Sequence, residues 1–203
     1  MRRGRFITVE GVDGAGKSTH LQFIADAAAA ASGRHAIVTR EPGGTELAER
    51  LRQAILAEPM TPIVETLLIF AARADHVARV IRPALDAGSW VVCDRFFDAT
   101  VAYQGAGKGV PLELLETLSK AANQGLAPDR TIVFDCSYEV ARQRLDASGK
   151  ALDRFEREDR AFFERVRNAY LARAKAEPQR IRVIDAATDV AQIRKQLESA
   201  LAI

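Results

Sequence analysis

The sequence predicts an α/β protein built on five parallel strands wrapped in helices, and three observations carry that prediction. Five short apolar runs, RFITVE, HAIVTR, SWVVCDR, RTIVFD and RIRVID, each lead into a longer stretch of helical period, the alternation expected of a parallel sheet. The runs are nearly continuous in Val, Ile, Phe and Cys rather than alternating with polar residues, as strands covered on both faces should be. The first run passes directly into a glycine-rich loop, and that loop opens a helix.

The helix after the loop is predicted from Leu21, Ile24, Ala25 and Ala28, which recur at helical spacing. A second long helix is predicted from Val64 to Leu85, open to a break near Ala74, with Gly88 closing it. A third runs from about Glu156 to Ala174, with Phe162, Phe163, Val166, Ala169 and Tyr170 on one side. Cys93 and Cys136 each sit in a strand-like run, which predicts two buried reduced thiols rather than a disulfide or a metal pair.

With 203 residues, 48% of them apolar and 28% charged, the chain fills one globular domain, 1–203, with at most a small mobile insertion. Lys plus Arg number 29 against 27 Asp plus Glu, so no nucleic acid or other large polyanion is implied, and anion binding falls to local clusters. The basic N-terminus lacks the apolar segment of a signal peptide, and no stretch is long enough to cross a bilayer. A cytoplasmic protein without a membrane partner is expected.

The chemistry starts at Gly11-Val12-Asp13-Gly14-Ala15-Gly16-Lys17-Ser18-Thr19, which satisfies G-x-x-x-x-G-K-[ST] between a strand and a helix. Its glycines let successive backbone N–H groups point inward, and the helix N-terminus adds positive potential, so the loop is a socket for the phosphates of ATP. Lys17 is expected on the β and γ phosphates in a solvent-filled socket, and Ser18 on Mg²⁺. A loop of this kind fixes the phosphoryl donor and leaves the acceptor open. No Asn-Lys-x-Asp string for reading guanine is present.

Two further strand ends supply candidates, because ligands of such sheets gather at the carboxyl ends of strands. At one, Asp94 is expected in the Mg²⁺ shell and Arg95 on the acceptor phosphate. At the other, Arg40 precedes Glu41-Pro42-Gly43-Gly44, where the Glu41–Pro42 bond is open between cis and trans. Two planar guanidinium groups suit the dianion of a monophosphate.

The segments EGVDGAGKS, TREPGGT, FAAR, DRF followed by AYQG, and LDRFE match the thymidylate kinase family in identity, order and spacing. The chain resembles that family over almost its whole length. The resemblance implies a three-layer P-loop NTPase fold with a mobile lid, here 142–157, a homodimer, and MgATP-dependent phosphorylation of thymidine monophosphate to the diphosphate for the dTTP supply. It implies that Asp13 receives the acceptor's 3′-hydroxyl, that Phe70 stacks on thymine, and that Arg73 donates to a thymine carbonyl. It also implies that Arg40 and Arg95 bind the acceptor phosphate, that Thr100 and Gln104 lie near the base, and that Tyr103 lies near C2′ and favours deoxyribose. Family members that lack an arginine in the P-loop supply a catalytic arginine from the lid. This chain has Gly14 at that P-loop position, and Lys150 is the only base between Arg144 and Arg154. Arg154 is therefore expected to be the main lid cation, with Lys150 as helper.

Overall fold

The structure is a computed structural model and describes residues 3–201. Its five strands, β1 (Phe6–Gly11), β2 (Ile37–Arg40), β3 (Val91–Asp94), β4 (Arg130–Asp135) and β5 (Ile181–Asp185), pair in parallel in the order β2-β3-β1-β4-β5. This is the expected α/β sheet flanked by helices. The chain steps from β1 to either side, so β3 and β4 diverge around the end of β1, and a crevice opens where the glycine loop begins.

Burial follows the strand period. Ile7, Val9 and Val92 join the larger core with α1 (Lys17–Ser32), while Phe6, Val91 and Cys93 face the smaller one formed with residues 77–86. Both cysteines are buried and free. The expectation of strands covered on both faces holds for β1, β3 and β4 but not for the edge strands, where Val38 and Val183 are exposed. An edge strand has a neighbour on one side only, so its outer surface depends on a helix that does not reach it here.

Two helices differ from their predicted course. The predicted Val64–Leu85 helix has no break at Ala74; α3 (Pro62–His76) passes instead into a π-helical turn, Val77–Ile81, and then α4 (Arg82–Asp86). Pro83 has no N–H to donate and its ring crowds the carbonyl four residues back, and the wider π turn just before it relieves both. The predicted helix from Glu156 begins later, as α8 (Arg160–Ala176), because Asp159 caps it at Phe162 N (2.7 Å). Upstream, Asp153 Oδ1 accepts from Phe155 N (2.8 Å) and Glu156 N (3.0 Å), which closes a turn in place of helix.

The remaining elements hold the crevice walls. They are α2 (Glu46–Ala57), capped by Thr45, the short α5 (Phe97–Thr100) running into a π turn Val101–Gly107, α6 (Leu112–Asn123), α7 (Tyr138–Ala147) and α9 (Val190–Leu201). Residues 142–147 of the predicted lid thus continue α7, and the irregular part lies between α7 and α8. Asp98, one turn before the cavity wall, is buried and pinned by the guanidinium groups of Arg173 and of Arg180 (2.8 Å).

Candidate active site

Two depressions meet at the strand ends. An inner cavity of about 610 Å³ is lined by residues from α2, α3, α5, the π turn after it and the 153–155 turn. An outer groove of about 1490 Å³ runs over residues 13–20 and is lined by Arg40, Asp94, Arg144 and Lys150. Asp13, Glu41, Arg52, Arg95 and Asp153 line both. Five charged residues therefore stand at the passage between them.

The loop from Gly11 to Gly16 is shaped by close backbone approach. Gly11 (φ 131°) and Gly14 (φ 79°) lie in backbone regions closed to most side chains, and a Cβ on Gly14 would stand 2.4 Å from the Ala141 carbonyl oxygen of α7. The absence of a side chain there lets α7 pack on the loop, so no cation can come from this position. Lys17 differs from its expected solvent-filled setting: it is buried, and its Nζ donates to the carbonyls of Gly11 (3.0 Å) and Val12 (2.9 Å). Burial, followed by Arg95, pulls its pKa below the usual lysine value.

Arg95 adopts φ 70°, a conformation that a non-glycine residue holds only where its surroundings impose it. Its backbone N–H bonds the Val9 carbonyl (2.9 Å), which turns the side chain back across the end of β1. There the guanidinium pairs with Asp13, lies 4.7 Å from the Tyr103 ring centroid and donates to the Tyr103 hydroxyl (3.1 Å). Tyr103 in turn donates to Asp13 Oδ2 (2.8 Å). Burial alone would raise the Asp13 pKa, but Arg95, Lys17 and the Tyr103 hydroxyl hold it below the usual carboxylate value.

Arg40 ends β2 beside Asp94 at the end of β3. Its side chain is 55% exposed and pairs with Glu49 (2.9 Å), so it stands at the groove rim. The Glu41–Pro42 bond that follows is cis. Asp94 Oδ1 is buried without a hydrogen-bond partner among the described residues and faces the groove that Ser18 also lines. An orphaned carboxylate oxygen beside a hydroxyl and the phosphate loop is a donor set that fits Mg²⁺.

The inner cavity reads shape and hydrogen bonding. Arg73 is buried between the rings of Phe70 (5.0 Å) and Phe96 (4.9 Å). Its Nε donates to Glu41 Oε2 (2.6 Å) and one terminal nitrogen to Thr100 Oγ1 (2.9 Å), while Nη1 has no partner among the described residues. Glu41 is itself held by His76 Nδ1 (3.0 Å), whose Nε2 shares a hydrogen bond with Thr39 Oγ1 (2.7 Å). One guanidinium arm is thus left to meet a ligand's carbonyl. Phe70 does not line the cavity; it packs with Val110, Leu115, Ala122 and Phe97, and the cavity wall takes Ile69 instead. The reason is packing: Ile69 and Phe70 lie four and three residues before Arg73 and both spacings share its face, but Phe70 is taken up by Leu115 and Ala122 of α6.

The lid also departs from expectation. Arg154 lines neither depression; its guanidinium pairs with the buried Glu65 and lies 4.8 Å from the Phe155 ring centroid. A buried carboxylate is a stronger attractor than an open groove. Lys150 does line the groove, and so does Arg144, the base that precedes it in sequence. Arg144 is fixed by donating to the carbonyls of Ala15 (3.3 Å) and Ala186 (2.8 Å). Arg52 carries no motif in the sequence, yet it donates to the Pro42 carbonyl (3.2 Å) and stands at the passage.

Comparison with known proteins shows the family of the chain. Residues 9–197 match the family model described as thymidylate kinase. The chain is 55% identical over 199 residues to the thymidylate kinase of Bordetella petrii, covering 98% of this chain and 95% of that one. It is 54% identical over 201 residues to that of Cupriavidus necator, covering 98% of each. The crystal structure of thymidylate kinase from Ehrlichia chaffeensis superposes with a TM-score of 0.79 at 32% identity, over 99% of both chains.

Proposed function

Because the chain belongs to the thymidylate kinase family, we propose that its two depressions divide the two substrates of that reaction, thymidine monophosphate inside and ATP outside. The chain phosphorylates thymidine monophosphate to thymidine diphosphate with ATP as donor. The observation that carries the division is the passage, where Arg52, Arg95 and Asp13 border the inner cavity and the phosphate groove at once. An acceptor phosphate at that passage meets the terminal phosphate of ATP without crossing protein.

In this reading the backbone N–H groups of 11–18 and Lys17 hold the β and γ phosphates, and Arg95 and Arg40 hold the acceptor phosphate. Asp13 takes the 3′-hydroxyl. Tyr103, already fixed against Asp13, closes the space beside C2′. Arg73 Nη1 meets a thymine carbonyl, and Thr100 and Gln104 complete the base site. Phe70 then acts through Arg73, as one of the two rings that hold it flat. Ser18 and Asp94 would hold Mg²⁺, which when bound neutralises charge on the phosphates. The lid is 148–157, with Lys150 as its groove-facing cation, and Arg144 joins it from the end of α7 just before the lid.

The same reading extends to a cytoplasmic homodimer. Among the described residues no helix is long and apolar enough to cross a membrane, and Leu47, Ile63, Val64 and Leu67 leave an exposed apolar stripe on α2 and α3 that suits a second copy. Light scattering on the purified chain tests the dimer. Calorimetric titration of each substrate tests the division: Arg73→Ala should weaken thymidine monophosphate and spare ATP, Arg144→Ala the reverse. The opposite pattern would overturn the assignment of the two depressions.

A further inference from the structure

Gln104 lies in the π turn after α5, four residues beyond Thr100, and lines the inner cavity. A glutamine amide has two faces of opposite meaning, a carbonyl that accepts and an NH₂ that donates, and nothing in its own shape decides which faces a ligand. Here the choice is made by Glu65, in the first turn of α3. Glu65 is buried, and its Oε1 accepts from Gln104 Nε2 at 2.7 Å. Its Oε2 accepts from Lys108 Nζ (2.8 Å) and pairs with the Arg154 guanidinium. A carboxylate facing two cations only accepts, so the NH₂ end of Gln104 is bound to it and the Oε1 end is left over. Among the described residues no donor meets that Oε1.

We propose that Glu65 is a positioning residue that sets the preference for a base with a proton at N3, by holding the Gln104 amide so that its Oε1 faces the base. The inference rests on the assignment of the inner cavity to the base. Thymine offers an N3–H donor flanked by carbonyl acceptors. Cytosine offers an N3 acceptor beside an amino group. With Arg73 Nη1 as a donor and Gln104 Oε1 as an acceptor, the cavity matches the first pattern and opposes the second. Rejection then costs the unpaired buried groups rather than a steric clash, and such rejection is steep.

The test uses the full chain with MgATP and compares thymidine monophosphate with 5-methyl-2′-deoxycytidine monophosphate, which keeps the methyl group and reverses the hydrogen-bond pattern. Glu65→Gln replaces the obligate acceptor with an amide that donates as well, so the Gln104 amide can turn over. The expected result is that the wild-type ratio of kcat/KM for the two nucleotides falls by about tenfold or more, the scale of one hydrogen-bond mismatch. Lys108→Met removes one cation and keeps the carboxylate, which Arg154 still pairs, and should hold the ratio within about twofold, because Glu65 Oε1 still accepts from Gln104 Nε2. An unchanged ratio in Glu65→Gln, with Gln104→Ala still raising the KM for thymidine monophosphate, overturns the proposal and leaves the base site standing. A fall in Lys108→Met as large as in Glu65→Gln overturns it in favour of bare charge. If Gln104→Ala does not alter that KM, the base-site assignment fails, and the inference with it. Should Glu65→Gln fold poorly, wild-type binding of N3-methylthymidine monophosphate decides: a loss of about tenfold or more is expected, and undiminished binding overturns the proposal.

Discussion

The inner cavity and the outer groove are built on opposite terms. In the cavity each reading group is itself held by a second: Arg73 by two rings, Glu41 and Thr100; Glu41 by His76; Tyr103 by Asp13 and Arg95; Gln104 by Glu65. In the groove Lys17 and Arg144 are fixed on backbone carbonyls, but other lining cations are looser. Arg40 is half exposed on Glu49, and Lys150 sits on the irregular segment between α7 and α8. The difference matches the two tasks. Choosing a base requires hydrogen-bond partners that do not adapt, whereas shielding a migrating phosphoryl group requires cations that close over it and then let product leave.

The largest effect that would break this contrast is at Lys17. Among the described residues its side chain bonds two carbonyls of its own loop, so Lys17→Ala should leave the fold intact while turnover falls by roughly 10³-fold or more, because electrostatic stabilisation dominates phosphoryl transfer. Steady-state rates beside a thermal melt check both halves. Wild-type turnover would remove the phosphate assignment of the groove.

Next come the three cations around the lid. Arg144 is anchored on the loop itself, so Arg144→Ala should cost about 10²-fold in kcat, the scale of losing one fixed charge donor. Lys150→Ala should cost less. Arg154→Ala should act through Glu65 and raise the KM for thymidine monophosphate with little change in kcat. A larger kcat loss for Arg154→Ala than for Arg144→Ala would mean that the lid carries Arg154 off Glu65 and onto the phosphates during turnover.

A smaller effect sharpens the cavity side. Arg73→Ala removes the charged donor proposed for the base and should raise the KM for thymidine monophosphate about tenfold, with the KM for ATP unchanged. Phe70→Ala should follow it more weakly, since the ring supports Arg73 from behind rather than lining the cavity. An equal or greater loss for Phe70→Ala would place its ring on the base after all. Tyr103→Ala should narrow the preference for deoxyribonucleotide over ribonucleotide.

These cases also show how far the residues could be read without coordinates. The strands, the loop and its helix, and the two strand-end arginines follow from local pattern, because a strand end beside a phosphate loop can face only one way. What local pattern misses is which side chain turns where. Phe70 at three residues and Ile69 at four residues from Arg73 are both compatible with one helix face, and only the packing of α3 on α6 separates them. Arg52 and Arg144 sit in charged helices that resemble solvated surface, and their inward direction comes from carbonyls of Pro42, Ala15 and Ala186, distant in sequence. Arg154 pairs with Glu65, which lies far back in the chain, and no local pattern around Arg154 points to that partner.

The last expected effect is on stability and belongs to a carboxyl in β1 that holds Phe96 of the inner cavity wall. Glu10 is buried in β1; its Oε1 accepts from Phe96 N (2.7 Å) at the cavity wall, and its Oε2 accepts from the Tyr170 hydroxyl (2.9 Å). Burial first, and then Asp98, push its pKa up from 4.5 to about 7. An acid whose folded pKa lies above its unfolded value holds its proton longer in the native state, so the native state binds more protons across that interval. Stability from this group is therefore greatest below about pH 4.5 and declines as pH rises toward about 7, after which it is level. Asp13 and Asp98, whose pKa values are lowered, act in the opposite sense and at lower pH, with stability lost as pH falls. Glu10→Gln keeps an acceptor for Phe96 N and cannot ionise. Its melting temperature should fall less than that of wild type between pH 5 and about 7.5, so the two curves should converge toward the acid end. Parallel curves would show that Glu10 titrates alike in the folded and unfolded chains, and that burial of this carboxyl imposes no such cost.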